Sequence, residues 1–198
     1  MNTPTHMLVA VAAFARPGQP RVNAAALIGG VFPDLAIYVL WSYSKAAGIP
    51  EHVVWREMYW QFPWKTLAAA GHSIPIFGGL LAALALAGAF RDGSRLWPFA
   101  VFCMAILLHI ALDFPVHVDD AHPHFWPLTN WAFHSPLSYW DHHHYGNWVS
   151  MFEVAMALVL AAIVWRRFTS PWVRVTLGVA ASTYILVPLY FSMMHHGG

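Results

Sequence analysis

Residues 109–127 read HIALDFPVHVDDAHPHFWP, and this stretch decides the fold because it places four histidines and three aspartates at the exit of an apolar helix. His109 and Asp113 are four residues apart, so their side chains stack on one helix face and can share a metal ion. His117 continues this face by one more step, although Pro115 strains the helix and makes that alignment weaker.

The segment beyond this helix carries further candidate ligands and bases. In order, they are Asp119, Asp120, His122 and His124. The segment is too rich in helix breakers to be regular helix, so we expect it to fold back over the His109 and Asp113 pair. The alternative is that these side chains simply lie at the hydrated membrane–water interface and have no function there. Ionisable groups at membrane depth are functional by default, which favours the first interpretation.

The composition is that of an integral membrane protein with one domain, residues 1–198. Hydrophobic residues make up 59% of the chain and charged residues only 10%, far from the usual composition of a soluble domain. The net charge of +1 provides no basic surface of the kind that nucleic acid demands, so a nucleic-acid partner is excluded.

The fold class predicted from these features is an all-α, polytopic membrane helix bundle. A helix needs about 20 apolar residues to cross a bilayer. We expect about five such helices, in residues 22–43, 67–90, 97–116, 149–165 and 172–194. Residues 7–15 are too few to cross and predict a half-length helix at the N-terminus. Residues 44–65 mix polar and aromatic side chains, which predicts an interfacial helix.

The run 22–43 contains two glycines followed by Pro33 and Asp34, so a broken helix is expected. Breaks at membrane depth are tolerated where the freed backbone lines a polar cavity, and this suggests that Asp34 belongs to a site. The alternative is a simple proline kink with a carboxylate capping the next turn.

The distribution of basic residues predicts the orientation. Seven basic residues fall in the loops assigned to the cytoplasmic side: Arg16, Arg21, Arg91, Arg95, Arg166, Arg167 and Arg174. The opposite side holds only Lys45, Arg56 and Lys65, so the positive-inside rule selects this topology for an inner (plasma) membrane protein. All thirteen histidines then lie in the outer half of the membrane or outside it, and a site facing the outer side is predicted.

Five ionisable residues from four segments are expected to converge at one depth in the bundle: His6, Asp34, His72, His109 and Asp113. His117, His122 and His124 are additional candidate ligands from the outer segment. Mixed imidazole and carboxylate ligands suit a divalent metal, zinc first, with manganese and iron as alternatives. Such a metal activates water and polarises an ester or phosphoryl oxygen, and Asp119 or Asp120 would then act as general base or hold a second metal.

These motifs, in this order, resemble the YdjM-like family of inner-membrane metal-dependent hydrolases. The shared features are Thr5-His6, Pro33-Asp34 after glycines, His72-Ser73 and the His109 to Asp113 spacing, within residues 5–130. The resemblance implies a multi-helix membrane protein with a metal-hydrolase site. The chain departs from the family pattern after Asp34, where Leu35 and Ala36 follow instead of a second acid, and before His72, where only Gly71 of the longer motif is present.

Two other functions use the same residues. His72 and His109 from antiparallel helices could be the axial ligands of a b-type haem, and the full ligand set could serve a metal carrier or sensor without catalysis. A site opening at the outer leaflet favours hydrolysis of a lipid or lipid-linked phosphoester or ester.

Glu153 is interpreted separately, as a carboxylate that opens a membrane helix and complements its dipole.

Overall fold

The structure, a computed structural model, describes residues 1–195, with side chains up to Tyr184 apart from Thr183. The described residues are helical and contain no strand. The α-helices are α1 (Thr3–Phe14), α2 (Pro20–Val31), α3 (Leu35–Ala46), α4 (Glu51–Arg56), α5 (Trp64–Gly71), α6 (Ile74–Leu86), α7 (Trp97–Asp113), α8 (Gly146–Arg167) and α9 (Pro171–His195).

Fewer segments than the five predicted are long and apolar enough to cross a membrane. Two described segments qualify, Pro20–Ala46 with 27 residues and Gly146–Arg167 with 22. A third is obtained only if α5 and α6, which are bent by 41° at their junction, are taken as one span. The helical content of the prediction is therefore confirmed, whereas the number of spans was too high.

The predicted spans fail for different physical reasons. Helix α7 has only 17 residues because Pro115 lacks an amide hydrogen and disfavours helix just before it. The run 67–90 is divided at His72 and Ser73, where the Ser73 hydroxyl accepts the Ile76 amide hydrogen and starts α6. The run 172–194 lies within α9, but most of its second half falls outside the residues whose side chains are described.

The predicted half-length helix and the predicted interfacial helix also differ from the structure. Helix α1 starts at Thr3, before the predicted residue 7, because Pro4 is well tolerated in a first turn. The predicted interfacial helix 44–65 is reduced to α4 and a 3₁₀ turn at Met58–Trp60, since the segment lies between Pro50 and Pro63.

The expected break in the first long span is present. A single 3₁₀ turn, Phe32–Asp34, separates α2 from α3 and holds Asp34 in a buried position. The whole segment, Pro20–Ala46, retains the length of a span across this turn. Asp34 is thereby placed at the junction of two helices, facing the interior of the bundle.

Helix α2 packs at backbone contact against α1 on one side and α7 on the other, and glycines allow this approach. A Cβ at Gly30 would lie 2.9 Å from Met7 Cα, and a Cβ at Gly29 would lie 2.7 Å from Ala105 Cβ. Contacts this short are sterically forbidden, so any larger residue would separate the helices that carry His6 and His109.

Helix α8 holds α1 at both ends through charged side chains. Glu153 accepts hydrogen bonds from the Asn2 amide at 2.9 Å and the Thr5 hydroxyl at 2.6 Å. Arg167 donates to the carbonyl oxygens of Ala12 at 2.7 Å and Ala15 at 2.9 Å. A carboxylate at the amino end and a guanidinium at the carboxyl end complement the dipole of α1 and fix its position.

An apolar cluster lies beneath the polar residues of the bundle. Phe77 of α6 packs with Cys103, Ile106 and Ile110 of α7, and all four are buried. Ile110 is the neighbour of His109 in sequence, so this cluster anchors the part of α7 that carries the predicted ligands.

Candidate metal centre

Three helices, α1, α5 and α7, and the turn before α3 bring together five residues predicted to share a metal: His6, Asp34, His72, His109 and Asp113. All five are buried. They form two overlapping triads, and the candidate ligand atoms of each triad lie within 4.8 Å of one another. His109 belongs to both triads, so these buried groups could hold a metal ion as parts of one centre.

Asp113 is the carboxylate on which the imidazoles converge. Its Oδ1 lies 2.8 Å from His6 Nε2, and its Oδ2 lies 3.0 Å from His109 Nε2 and 3.8 Å from His72 Nε2. Oδ1 also accepts a hydrogen bond from the α-amino group of Met1 at 2.6 Å. Because Asp113 is the last residue of α7, its side chain reaches beyond the helix toward α1 and α5.

Asp34 approaches the same imidazoles from the other side. Its Oδ1 lies 3.7 Å from His109 Nε2 and 3.9 Å from His72 Nε2, while its Oδ2 accepts a hydrogen bond from Thr3 at 2.5 Å. The Thr3 hydroxyl thus orients one oxygen and leaves the other directed at the two imidazoles.

Backbone carbonyls hold the far sides of two imidazoles. His72 Nδ1 lies 2.9 Å from the Ala68 carbonyl oxygen, and His109 Nδ1 lies 2.9 Å from the Gly30 carbonyl oxygen. A carbonyl accepts only, so each Nδ1 carries the proton and each Nε2 presents a lone pair toward the aspartates. This is the usual arrangement behind a metal-binding histidine.

The inward-facing nitrogens have no hydrogen-bond partner among the described residues. His72 Nε2 and His109 Nε2 are buried and unpaired, which is costly unless another group satisfies them. Donor atoms that share a zinc ion at about 2.0 Å lie about 3.3 Å apart in a tetrahedral site. The Asp34 oxygen lies 3.7 Å from His109 Nε2 and 3.9 Å from His72 Nε2, and an Asp113 oxygen lies 3.8 Å from His72 Nε2. These separations are too long for hydrogen bonds and suit donor atoms arranged around a shared ion, whereas the 3.0 Å from His109 Nε2 to Asp113 Oδ2 is compatible with either.

His6 completes the group from α1. Its ring stacks on that of His109 with centroids 3.6 Å apart. Its position depends on the approach of α1 to Gly30 and on the contacts of the preceding residue, Thr5, with Glu153.

The segment after α7, which carries His117, His122 and His124, folds back over the cluster, as expected. The Ile74 amide donates to the His124 carbonyl oxygen at 2.8 Å, and the Ser135 amide donates to the His117 carbonyl oxygen at 2.9 Å. The first bond holds the irregular loop between α7 and α8 against the start of α6, and the second closes the loop on itself. His117, His122 and His124 are consequently buried.

His117 pairs with aspartates on both sides. Its Nε2 lies 3.3 Å from Asp113 Oδ1, and its Nδ1 lies 3.1 Å from Asp120 Oδ2. Burial lowers the pKa of His117, but the contacts with Asp113 and Asp120 outweigh it and raise the pKa to about 9. In this arrangement His117 is a protonated partner of the two carboxylates. It lies beyond the end of α7, so the expected continuation of the helix face to His117 was wrong.

His122 and His124 lie beside the ring of His72. The ring of His122 stacks on that of His72 at 3.8 Å, and the ring of His124 lies 6.3 Å from it. Burial lowers the pKa of His122 to about 3 and that of His124 to about 4, so both are neutral at physiological pH. Neither belongs to the two triads, so their role as ligands stays a prediction.

The two predicted general bases differ in their surroundings. Asp120 is half-buried, and its Oδ2 accepts a hydrogen bond from Trp140 at 3.2 Å. Burial raises the pKa of Asp120, but the His117 and Trp140 contacts outweigh it and leave the pKa below its usual value. Its Oδ1 is buried without a hydrogen-bond partner among the described residues. Asp119 is exposed.

A cavity of about 1050 Å³ adjoins the cluster. Asp34, Asp113, His117 and His122 line one part of it, together with both candidate bases. Its other walls come from α3, α4 and the 3₁₀ turn at Met58–Trp60. The cavity gives a ligand access to the buried carboxylates.

The support given by Glu153 was not foreseen. Glu153 is the eighth residue of α8, not its opening residue, so the interpretation as a dipole-complementing first-turn acid was wrong. The carboxylate is fully buried and binds α1, and Thr5 also contacts the Tyr184 hydroxyl at 2.5 Å. A lone acid in an apolar helix was the available signal, because burial of such a group requires polar partners.

The structure does not favour the haem alternative. The His72 and His109 rings are 5.3 Å apart, and carboxylate oxygens lie within 3.9 Å of both inward-facing nitrogens. These oxygens occupy the space that a porphyrin between the two imidazoles would need.

No protein-family model matches this chain, and no curated protein or solved structure matches it either.

Proposed function

We propose that this chain is an inner-membrane metal-dependent hydrolase that acts on a lipid or lipid-linked phosphoester or ester. The observation that carries the proposal is the pair of imidazoles, His72 and His109, whose outer nitrogens are bound by carbonyls while their inner nitrogens face two buried aspartates. Metal-ligating histidines usually donate their other ring nitrogen in this way, and a bound ion would satisfy the two buried inner nitrogens.

The donor set fits a divalent cation, with zinc the first choice. Three imidazoles and two carboxylates carry two negative charges when the histidines are neutral, so a divalent ion neutralises the group. When bound, the metal supplies Lewis-acid polarisation of the scissile group and acidification of water.

The chain's own residues supply the remaining parts of hydrolysis. Asp120 lines the cavity and has one buried oxygen, Oδ1, free to accept a proton from water. The hydroxyl of that water joins the acyl or phosphoryl centre, and the proton passes on to the leaving oxygen. The charged His117 holds the other oxygen of Asp120 and so fixes the orientation of the carboxylate.

The membrane assignment and the class of substrate support one another. The segment Pro20–Ala46 carries Asp34 and is long and apolar enough to cross a membrane, so the cluster is attached directly to a candidate span. The motif resemblance to YdjM-like hydrolases suggests the same reaction class. The asymmetric distribution of basic residues supports a site on the outer side of the inner membrane.

The test is metal analysis of detergent-purified protein, followed by turnover of ester and phosphoester probes. We expect near-stoichiometric zinc, and hydrolysis that a chelator abolishes and zinc restores. A protein that retains zinc but hydrolyses no ester, phosphoester or amide would instead be a carrier or sensor. A protein without bound metal would contradict both functions.

A further inference from the structure

The cavity beside the cluster contains one permanent cation, Arg56, among the side chains that line it. Arg56 is the last residue of α4 and is exposed. Among the described residues, no carboxylate lies within 4.0 Å of its guanidinium, although Glu51 on the same helix pairs with Lys45. An arginine lining a cavity without an internal partner is available to an anionic ligand.

The cavity wall next to Arg56 is aromatic. Tyr38 and Trp41 project from α3, and Trp55 and Trp60 from the segment that carries Arg56. All four are substantially exposed in spite of their size. Helix α3 is the second half of the candidate span Pro20–Ala46, so one helix both lines the cavity and continues into the membrane segment.

Carboxylates dominate the opposite part of the cavity. Asp34, Asp113, Asp119 and Asp120 all line it, and together they repel an anion unless positive charge compensates. The proposed metal supplies such charge at the base of the cavity, and Arg56 supplies it at the wall. Met1 and His117 also line the cluster side of the cavity, but the Met1 α-amino group and the His117 imidazole already contact aspartates. An anionic group that reaches from the cluster to Arg56 therefore meets a cation with no carboxylate within 4.0 Å among the described residues.

We infer that the ligand of this cavity is the phosphate headgroup of a membrane amphiphile, bound by Arg56, with its apolar tail against the aromatic wall of α3. This inference rests on the proposed function, since it names the substrate class of the same site. A guanidinium matches phosphate oxygens with two parallel hydrogen bonds, and tyrosine and tryptophan are favoured where one end of a ligand is apolar and the other polar.

The tryptophans of the wall provide the measurement. Brominated phosphatidate and brominated diacylglycerol, with identical acyl chains, are titrated into zinc-supplemented protein in neutral detergent, and quenching of tryptophan fluorescence gives each Kd. We expect the wild type to bind phosphatidate at least about tenfold more tightly than diacylglycerol, the usual worth of a charge-assisted contact.

Variants identify the residue responsible. Arg56→Gln should remove the preference for phosphatidate, while Arg56→Lys should keep part of it, since a point charge replaces the planar fork. Arg95→Gln is the matched control, because Arg95 is exposed in the turn between α6 and α7 and does not line this cavity. Unchanged zinc content and helical circular dichroism show that each variant is folded.

The outcomes separate this inference from the hydrolase proposal. A preference that survives in Arg56→Gln, or that Arg95→Gln loses equally, overturns the assignment of Arg56. Full competition by millimolar inorganic phosphate overturns the role of the apolar wall. If phosphatidate binds as expected but no probe is hydrolysed, the hydrolase proposal fails alone. Hydrolysis of a neutral ester, with no preference for phosphatidate, refutes the inference alone.

Discussion

Each buried imidazole in the cluster has a distinct set of partners, and the partners decide its chemical state. His72 and His109 donate from Nδ1 to backbone carbonyls and keep Nε2 free. His117 lies between two carboxylates and is protonated, since its pKa is raised to about 9. Residues of one type therefore divide into candidate ligands and a charged orienting group.

The ligand assignment predicts loss of metal on truncation. His109→Ala and Asp113→Ala should each lose bound zinc and all hydrolytic activity, because both side chains contribute to the same group of donor atoms. His143→Ala is the control, since His143 is exposed in the outer loop and only its backbone amide makes a hydrogen bond. Zinc is measured by elemental analysis of purified protein. Wild-type zinc content in His109→Ala would contradict the ligand assignment.

Asp120 and Asp119 are distinguished by the same kind of measurement. Asp120→Asn should retain zinc and slow turnover by about 10²- to 10⁴-fold, the usual contribution of a positioned proton acceptor. Asp119→Asn should remain close to wild type, because Asp119 is exposed and makes no ion pair within 4.0 Å among the described residues. If Asp120→Asn loses zinc, the residue is a ligand and a second metal is indicated. Full activity in Asp120→Asn would exclude it as the base.

Residue spacing and depth were sufficient to find the five clustered side chains but not their surroundings. The i, i+4 spacing of His109 and Asp113 on α7 is a local helical property, so it can be read directly from the sequence. The contacts of His122 and His124 depend on an irregular loop, whose path no periodicity predicts. Glu153 was misinterpreted because its partners lie on α1, about 150 residues away in sequence.

At the scale of helices, the cluster depends on how closely α1, α2 and α7 approach one another. Gly30 contributes twice: its missing side chain admits α1, and its carbonyl accepts the His109 Nδ1 proton. The broken span adds Asp34 at the turn before α3. The break was predictable from Pro33 and the glycines, whereas the bend between α5 and α6 was not, since the run 67–90 is apolar on both sides of it.

Helix packing predicts an effect of a single added methyl group. Gly30→Ala should lower the melting temperature and the zinc content, because its Cβ would lie 2.9 Å from the Met7 backbone and would displace the helix that carries His6. Gly79→Ala is the matched control: Gly79 lies in α6, and a Cβ there would meet no atom within 4 Å. In a helix interior that change should be neutral or stabilising by up to about 1 kcal/mol. Equal effects of the two substitutions would contradict the packing argument.

For the whole molecule, composition predicted a membrane protein and an all-α fold, but it overestimated the number of spans. A run of apolar residues does not show where a helix ends. Pro115 ends α7 after 17 residues, although the apolar run continues to residue 116. The two segments that do qualify, Pro20–Ala46 and Gly146–Arg167, both carry a buried acid. These two segments therefore position α1 and the cluster.

The orientation predicted from the arginines is the subject of the last prediction. In a Cys103→Ser background, which removes the buried native thiol, single cysteines replace two exposed residues, Asn130 and Asp92. Asn130 lies in the loop between α7 and α8, and Asp92 lies in the arginine-containing turn between α6 and α7. The positive-inside rule places the arginine-containing turn in the cytoplasm. An impermeant maleimide added to intact cells should therefore label position 130 and spare position 92, and permeabilised cells should label both. The reverse pattern would place the cavity and its cluster on the cytoplasmic side and would exclude a substrate drawn from the outer leaflet.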